Sequence, residues 1–71
     1  MKYAVIYEKS GTGYGAYVPD LPGCVATGKT RRDTERRIRE AIELHIESLR
    51  KHGNRVPPAT TVAEYINISA D

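Results

Sequence analysis

Residues 30–53 read TRRDTERRIREAIELHIESLRKHG, and this stretch decides the fold. Thr30 is a good N-cap, because a threonine oxygen can accept from a free N–H of the first helical turn. Asp33, three positions on, is an acidic variant of the capping box. Thr34, Ile38, Ala41, Ile42, His45, Ile46 and Leu49 then recur at helical spacing, which predicts a helix over 31–51 with one apolar stripe. Gly53 suits a left-handed C-cap with Asn54 behind it, and Pro57-Pro58 makes a stiff exit.

Upstream, residues 3–8 (YAVIYE) are strand formers, with Tyr3, Val5 and Tyr7 on one side and Ala4 and Ile6 on the other. Ser10-Gly11-Thr12-Gly13 is a turn cluster, and residues 14–18 (YGAYV) read as a second strand, so the pair forms an antiparallel hairpin. Pro19 and Pro22 each fix φ and remove a donor, which makes residues 19–23 a rigid connection outside any ladder. Pro22-Gly23 fits the centre of a type II turn, where glycine takes a positive φ. Residues 24–27 (CVAT) form a short third strand ended by Gly28. Beyond the helix, residues 62–69 (VAEYINIS) offer a fourth strand centred on 65–68. Thr61-Val62-Ala63-Glu64 also fits a capping box, which allows one helical turn ahead of that strand.

The expected order is β-β-β-α-β, an α+β fold. A right-handed crossover through the helix returns the last strand parallel to an earlier one. The expected architecture is a four-stranded mixed sheet with one long helix on one face, in a single domain over residues 1–71. A chain of 71 residues and 7.9 kDa buries only about 60% of the surface its unfolded form exposes, so its core is thin. Its five aromatic residues are all tyrosine. No apolar run approaches 18 residues, which argues against a membrane span, and the first residues lack a signal-peptide pattern. One cysteine, Cys24, makes no internal disulfide, and the expected compartment is the cytoplasm. A net charge of +2 does not by itself imply nucleic-acid binding.

One helix covers one face of a sheet. Strands with apolar side chains on both sides therefore leave tyrosines and aliphatics uncovered, and a contiguous patch of that kind marks an interface. The candidate interface is Tyr3, Val5, Tyr7, Tyr17, Leu44 and Tyr65, with Leu44 standing nearly opposite the helix stripe. Self-association, to at least a dimer, is the expectation.

Sites for chemistry are sparse. His45 lies on the apolar stripe, and His52 is two turns away with no carboxylate or cysteine at a recognised spacing. Cys24 reads as a small buried hydrophobe. The Gly-rich loop lacks the GK[ST] tail of a phosphate loop and joins two strands. Glu8, Asp20 and Glu64 read as loop or strand-end charges, so no catalytic residue, metal or cofactor is expected. Lys29, Arg31, Arg32, Arg36, Arg37 and Arg39 crowd the helix start, against the macrodipole. Arg32, Arg36 and Arg39 share one flank and form a candidate basic patch for RNA phosphates or an acidic protein. The pairs Asp33–Arg37, Glu35–Arg39 and Glu47–Lys51 offset part of that charge.

The run from Tyr14 to Val25 (YGAYVPDLPGCV), then Gly28-x-Thr30, then Arg39-Glu40-Ala41-Ile42-Glu43, closely resembles the N-terminal domain of HicB-type antitoxins. Its most specific part is Tyr17, Pro19, Asp20, Leu21, Pro22, Gly23 and Cys24, and the resemblance spans about residues 3–69. It implies a partial RNase H-like fold, no catalytic site, and a partner toxin of the HicA type that cleaves mRNA and is blocked by the antitoxin. Longer relatives add a C-terminal DNA-binding domain, so the resemblance is to a solitary short form. Many relatives also carry acids where this chain has Lys29, Arg31 and Arg32. Three further readings stand beside this one: a solitary relative with another partner, a direct nucleic-acid binder using the basic flank, and a hydrolytic remnant of an RNase H-like ancestor.

Overall fold

The computed structural model describes residues 1–69. Strands β1 (Ile6–Ser10), β2 (Gly13–Tyr17) and β3 (Val25–Gly28) precede one helix, α1 (Arg31–Lys51). The sheet is wholly antiparallel in the order β1-β2-β3, with Ile6 opposite Tyr17 and Tyr17 opposite Val25. β1 starts later than the alternation of residues 3–8 suggests. Residues 3–5 extend it as unpaired chain, and there the Tyr3 hydroxyl donates to the Pro57 carbonyl.

The helix begins and ends where its caps require. Thr30 is extended, and its Oγ1 accepts from the Asp33 N–H at 3.0 Å. At the other end the Gly53 N–H donates to the Arg50 carbonyl and the Asn54 N–H to that of Leu49. That double return is a Schellman-type stop, with Gly53 at φ +70°.

α1 packs across β2 and β3. The core beneath it is Ala16, Val18, Leu21, Cys24 and Ile38, with Tyr3, Val5, Tyr7, Ala26, Ala41, Ile42 and Ile46 packed around it. Three of the five fully buried apolar residues, Val18, Leu21 and Cys24, come from the connection between β2 and β3 and its edges. This connection is two consecutive turns that share Leu21. The Leu21 N–H donates to the Val18 carbonyl, the Cys24 N–H to the Leu21 carbonyl, and the Val18 N–H to the Cys24 carbonyl. The second turn has Pro22 and Gly23 at its centre, and Gly23 has φ +84°, as a type II turn demands.

An added Cβ at Gly23 would meet nothing within 4 Å, so a substitution there acts through backbone strain alone. Forcing a side chain into that region costs about 1–2 kcal/mol. Gly23→Val should therefore lower the melting temperature by roughly 4–8 °C per kcal/mol lost. Pro19→Ala, which mainly frees the unfolded chain, should do less. Thermal melts that place Gly23→Val with the wild type would refute the turn.

The expected fourth strand is not formed. Residues 54–69 carry no helix or strand, and the single helical turn allowed by Thr61–Glu64 is absent as well. Among the described residues the sheet is thus three-stranded and antiparallel rather than four-stranded and mixed, though the α+β class holds. Val62, Tyr65, Ile66 and Ile68 stand exposed, so this apolar stretch extends from the domain as an arm without a ladder partner.

Candidate functional site

The turn between β2 and β3 faces two ways. Val18, Leu21 and Cys24 point into the core, and burial pushes the Cys24 thiol up, which keeps it an unreactive hydrophobe. Asp20 points outward and fastens the base of the arm. Its Oδ2 accepts from the N–H groups of Thr60 and Thr61, each at 2.9 Å. Its Oδ1 accepts from the Thr61 hydroxyl at 2.7 Å and the Thr60 hydroxyl at 3.3 Å. One carboxylate thus takes four donors from two consecutive residues, some forty positions away in sequence.

The Thr61 hydroxyl, followed by the Thr61 N–H, holds the Asp20 carboxyl below its usual 3.8 against opposition from desolvation, with the Thr60 N–H and hydroxyl adding to the lowering. A carboxylate with a depressed folded pKa contributes stability above its unfolded value, and that contribution is lost as pH falls through the folded value. The clamp should therefore hold through neutral and mildly acid pH and release only below about 3.8. In an NMR titration the Thr60 and Thr61 amide resonances should move in that acid range, and should stay flat in Asp20→Asn. Resonances that ignore acid in the wild type would refute the clamp.

The sheet's two faces differ. Tyr7, Ala16 and Ala26 lie in one cross-strand row and pack toward α1. Side chains alternate along a strand, so the neighbouring row Ile6–Tyr17–Val25 belongs to the open face. Tyr17 is 41% and Val25 63% exposed there. Glu8, Gly15 and Thr27 continue the open face with polar or no side chains.

The six candidate interface residues therefore do not share one surface. Tyr3, Val5 and Tyr7 lie on the helix side, packed against the core, and Tyr17 lies on the open face. Leu44 is exposed on the outer side of α1, and Tyr65 is on the arm. Val5, Tyr7 and the fully exposed Tyr65 do border one cleft. With Ile6, Arg31 and Glu64 they line a cleft of about 430 Å³ between β1 and the arm. Ile6 and Val25 lie outside the set that the sequence suggests, although alternation from Tyr17 and the β2–β3 turn points to both. In the sequence Asp20 reads as a plain loop charge, because no local pattern links it to Thr60 and Thr61.

The basic flank is exposed along Arg32, Arg36 and Arg39, but two of the three have acid partners. Arg36 pairs with Asp33 at 3.6 Å and Arg39 with Glu35 at 4.0 Å. Asp33 thus reaches the residue three positions on rather than Arg37, and Glu47–Lys51 is not among the ion pairs found in the described residues. The Arg31 guanidinium lies 4.3 Å from the Tyr7 ring centroid, a cation–π contact that ties the helix start to β1. Among the described residues no group of three or more His, Cys, Asp or Glu converges on one point, and no helix is long and apolar enough to cross a membrane.

Residues 3–70 match the profile of a family described as HicB_like antitoxin of bacterial toxin-antitoxin system. A UPF0150 protein of Thermoplasma acidophilum is 48% identical over 58 residues, covering 80% of this chain and 84% of that protein. A UPF0150 protein of Synechocystis is 39% identical over 67 residues, covering 93% of this chain and 85% of its own length. A 14.9 kDa protein from the rep-hol intergenic region of Haemophilus phage HP1 is 36% identical over 67 residues, and this chain spans 50% of it.

Proposed function

Since the chain belongs to the HicB-like antitoxin family of bacterial toxin–antitoxin systems, we propose that it is a cytoplasmic antitoxin that neutralises an mRNA-cleaving toxin of the HicA type. It acts by binding, not by catalysis, and covers the surface on which the toxin holds RNA. The observation that carries this reading is the open sheet face. The row Ile6–Tyr17–Val25 is apolar, crosses all three strands and is left uncovered by α1. An apolar row with a tyrosine at its centre is the kind of anchor on which protein interfaces concentrate their binding energy. The strands and helix then serve as a partial RNase H-like scaffold that presents this face, and the antitoxin self-associates, at least to a dimer.

The test is neutralisation. The chain is co-expressed with a HicA-type toxin, and growth and mRNA integrity are followed. Tyr17→Asp and Val25→Asp should each abolish protection while leaving the circular dichroism spectrum and melting temperature close to wild type. Full protection by both variants would overturn the open face as the toxin contact. Direct, salt-sensitive RNA binding lost in Arg32→Ala would instead favour the nucleic-acid reading.

A further inference from the structure

The arm is too apolar and too extended to be explained by the single chain. The radius of gyration is 14.2 Å and the longest dimension 53 Å. A compact chain of this length has a radius near 11 Å, and α1 with its 21 residues is only about 31 Å long. The arm accounts for the difference. Its residues 62–68 (VAEYINI) are rich in β-formers, with Val62 89% exposed and Tyr65 fully exposed.

Beside the arm lies an unpaired strand. β1 is an edge of the sheet, with a row of backbone N–H and C=O groups free to template another strand. The chain's own arm does not fill that edge, because the cleft of about 430 Å³ separates the two. The arm's base, in contrast, is fixed by the four donors on Asp20, so the segment leaves the domain at a set point.

We propose that two copies exchange arms, residues 62–68 of each forming a strand on the β1 edge of the other. Each incoming arm enters the cleft between the receiving copy's β1 and that copy's own arm. The two arms then lie side by side across a two-fold axis, and the sheets of both copies join into one. A two-fold contact closes on itself and counts every interaction twice. Tyr65 alone brings about 150–250 Å² of surface. With Val62, Ile66 and Ile68 beside it, giving and receiving one arm each brings a copy toward the roughly 800 Å² per partner of a stable pair. Arg31 lines the cleft and offers a cation to an incoming Glu64. Each domain thereby receives from its partner the fourth strand that its own chain does not form. This deepens the self-association proposed above and leaves Tyr17 and Val25 of the open face free for a toxin.

The test combines sedimentation with amide hydrogen exchange on the whole chain at several concentrations. A dimer is expected at micromolar concentration, with the amides of 62–68 protected at least tenfold and the protection lost on dilution to monomer. Ile66→Pro removes a ladder donor and should weaken dimerisation at least tenfold with an unchanged melt of α1. Tyr17→Asp, on the open face, should leave dimerisation intact. A dimer with an unprotected arm would overturn the exchange while keeping self-association. Protection that persists in a dilute monomer would show the arm on its own β1 and overturn the exchange as well. A monomer with an unprotected arm at every concentration would overturn both.

Discussion

Leu21→Ala is expected to bring the domain close to unfolding at physiological temperature. Leu21 is 0% exposed and is the residue shared by the two consecutive turns that join β2 to β3. Truncating a buried leucine to alanine costs about 2–5 kcal/mol, because transfer energy and a residual cavity add. At about 0.05–0.15 kcal/mol per residue, the whole chain has only some 4–11 kcal/mol of stability. In a domain of this size each kcal/mol moves the melting temperature by roughly 4–8 °C, so a drop of at least about 8 °C follows. Leu44→Ala is the control, since Leu44 is exposed and a surface truncation of this kind stays within about 0.5 kcal/mol. Circular dichroism melts decide it. If Leu21→Ala melts within a few degrees of Leu44→Ala, the turn is not part of the core.

That experiment bears on what the YVPDLPGC motif does. Adjacent residues in it serve opposite tasks: Leu21 holds the turn to the core, and Asp20 holds the base of the arm to the turn. The prolines and Gly23 fix the backbone so that the two side chains diverge. A loss of Leu21 should thus loosen the arm along with the core, whereas a loss of Asp20 should free the arm and leave the core melting almost as before.

Local signals in the sequence carried the helix and the tight turns, and long-range ones were invisible. Thr30, Asp33 and Gly53 announced both ends of α1, because caps depend on residues within a few positions of each other. The Pro22-Gly23 turn was legible for the same reason. Residues 62–69 have the composition of a strand, but composition does not say whether a partner edge is within reach, and here the segment stands off β1. Alternation also placed Tyr3, Val5 and Tyr7 together without revealing which face α1 would cover, so half of the candidate interface proved to pack on the helix side. The clamp between Asp20 and residues 60 and 61 needed the three-dimensional path of the chain after Pro58. The basic helix start was plain in the sequence, yet its electrostatics were not, since Arg31 is drawn to the Tyr7 ring and Asp33 to Arg36.

The entry into α1 depends on a close approach that only glycine permits. Gly28 ends β3, and two residues later Thr30 caps the helix. Thr34, fully buried, returns its hydroxyl to the Thr30 carbonyl at 2.7 Å and lies directly against Gly28. A Cβ at Gly28 would stand 2.7 Å from the Thr34 Oγ1, 2.9 Å from its backbone nitrogen and 3.2 Å from its Cα. The hydroxyl has some room to rotate, but the helix backbone does not, so the first turn of α1 must lift from β3. Overpacking of this sort costs about 1–3 kcal/mol. Gly28→Ala is therefore expected to lower the melting temperature by roughly 4 to 24 °C, at 4–8 °C per kcal/mol. Gly15→Ala makes the identical chemical change in the middle of β2, where an added Cβ meets nothing within 4 Å. Relief of unfolded-chain entropy should make that variant neutral or up to about 1 kcal/mol more stable. Opposite signs for the two substitutions would locate the effect in the contact with Thr34 rather than in glycine's flexibility. Equal melts for both would mean that α1 does not seat on β3 through Gly28, and the angle at which the helix crosses the sheet would need another cause.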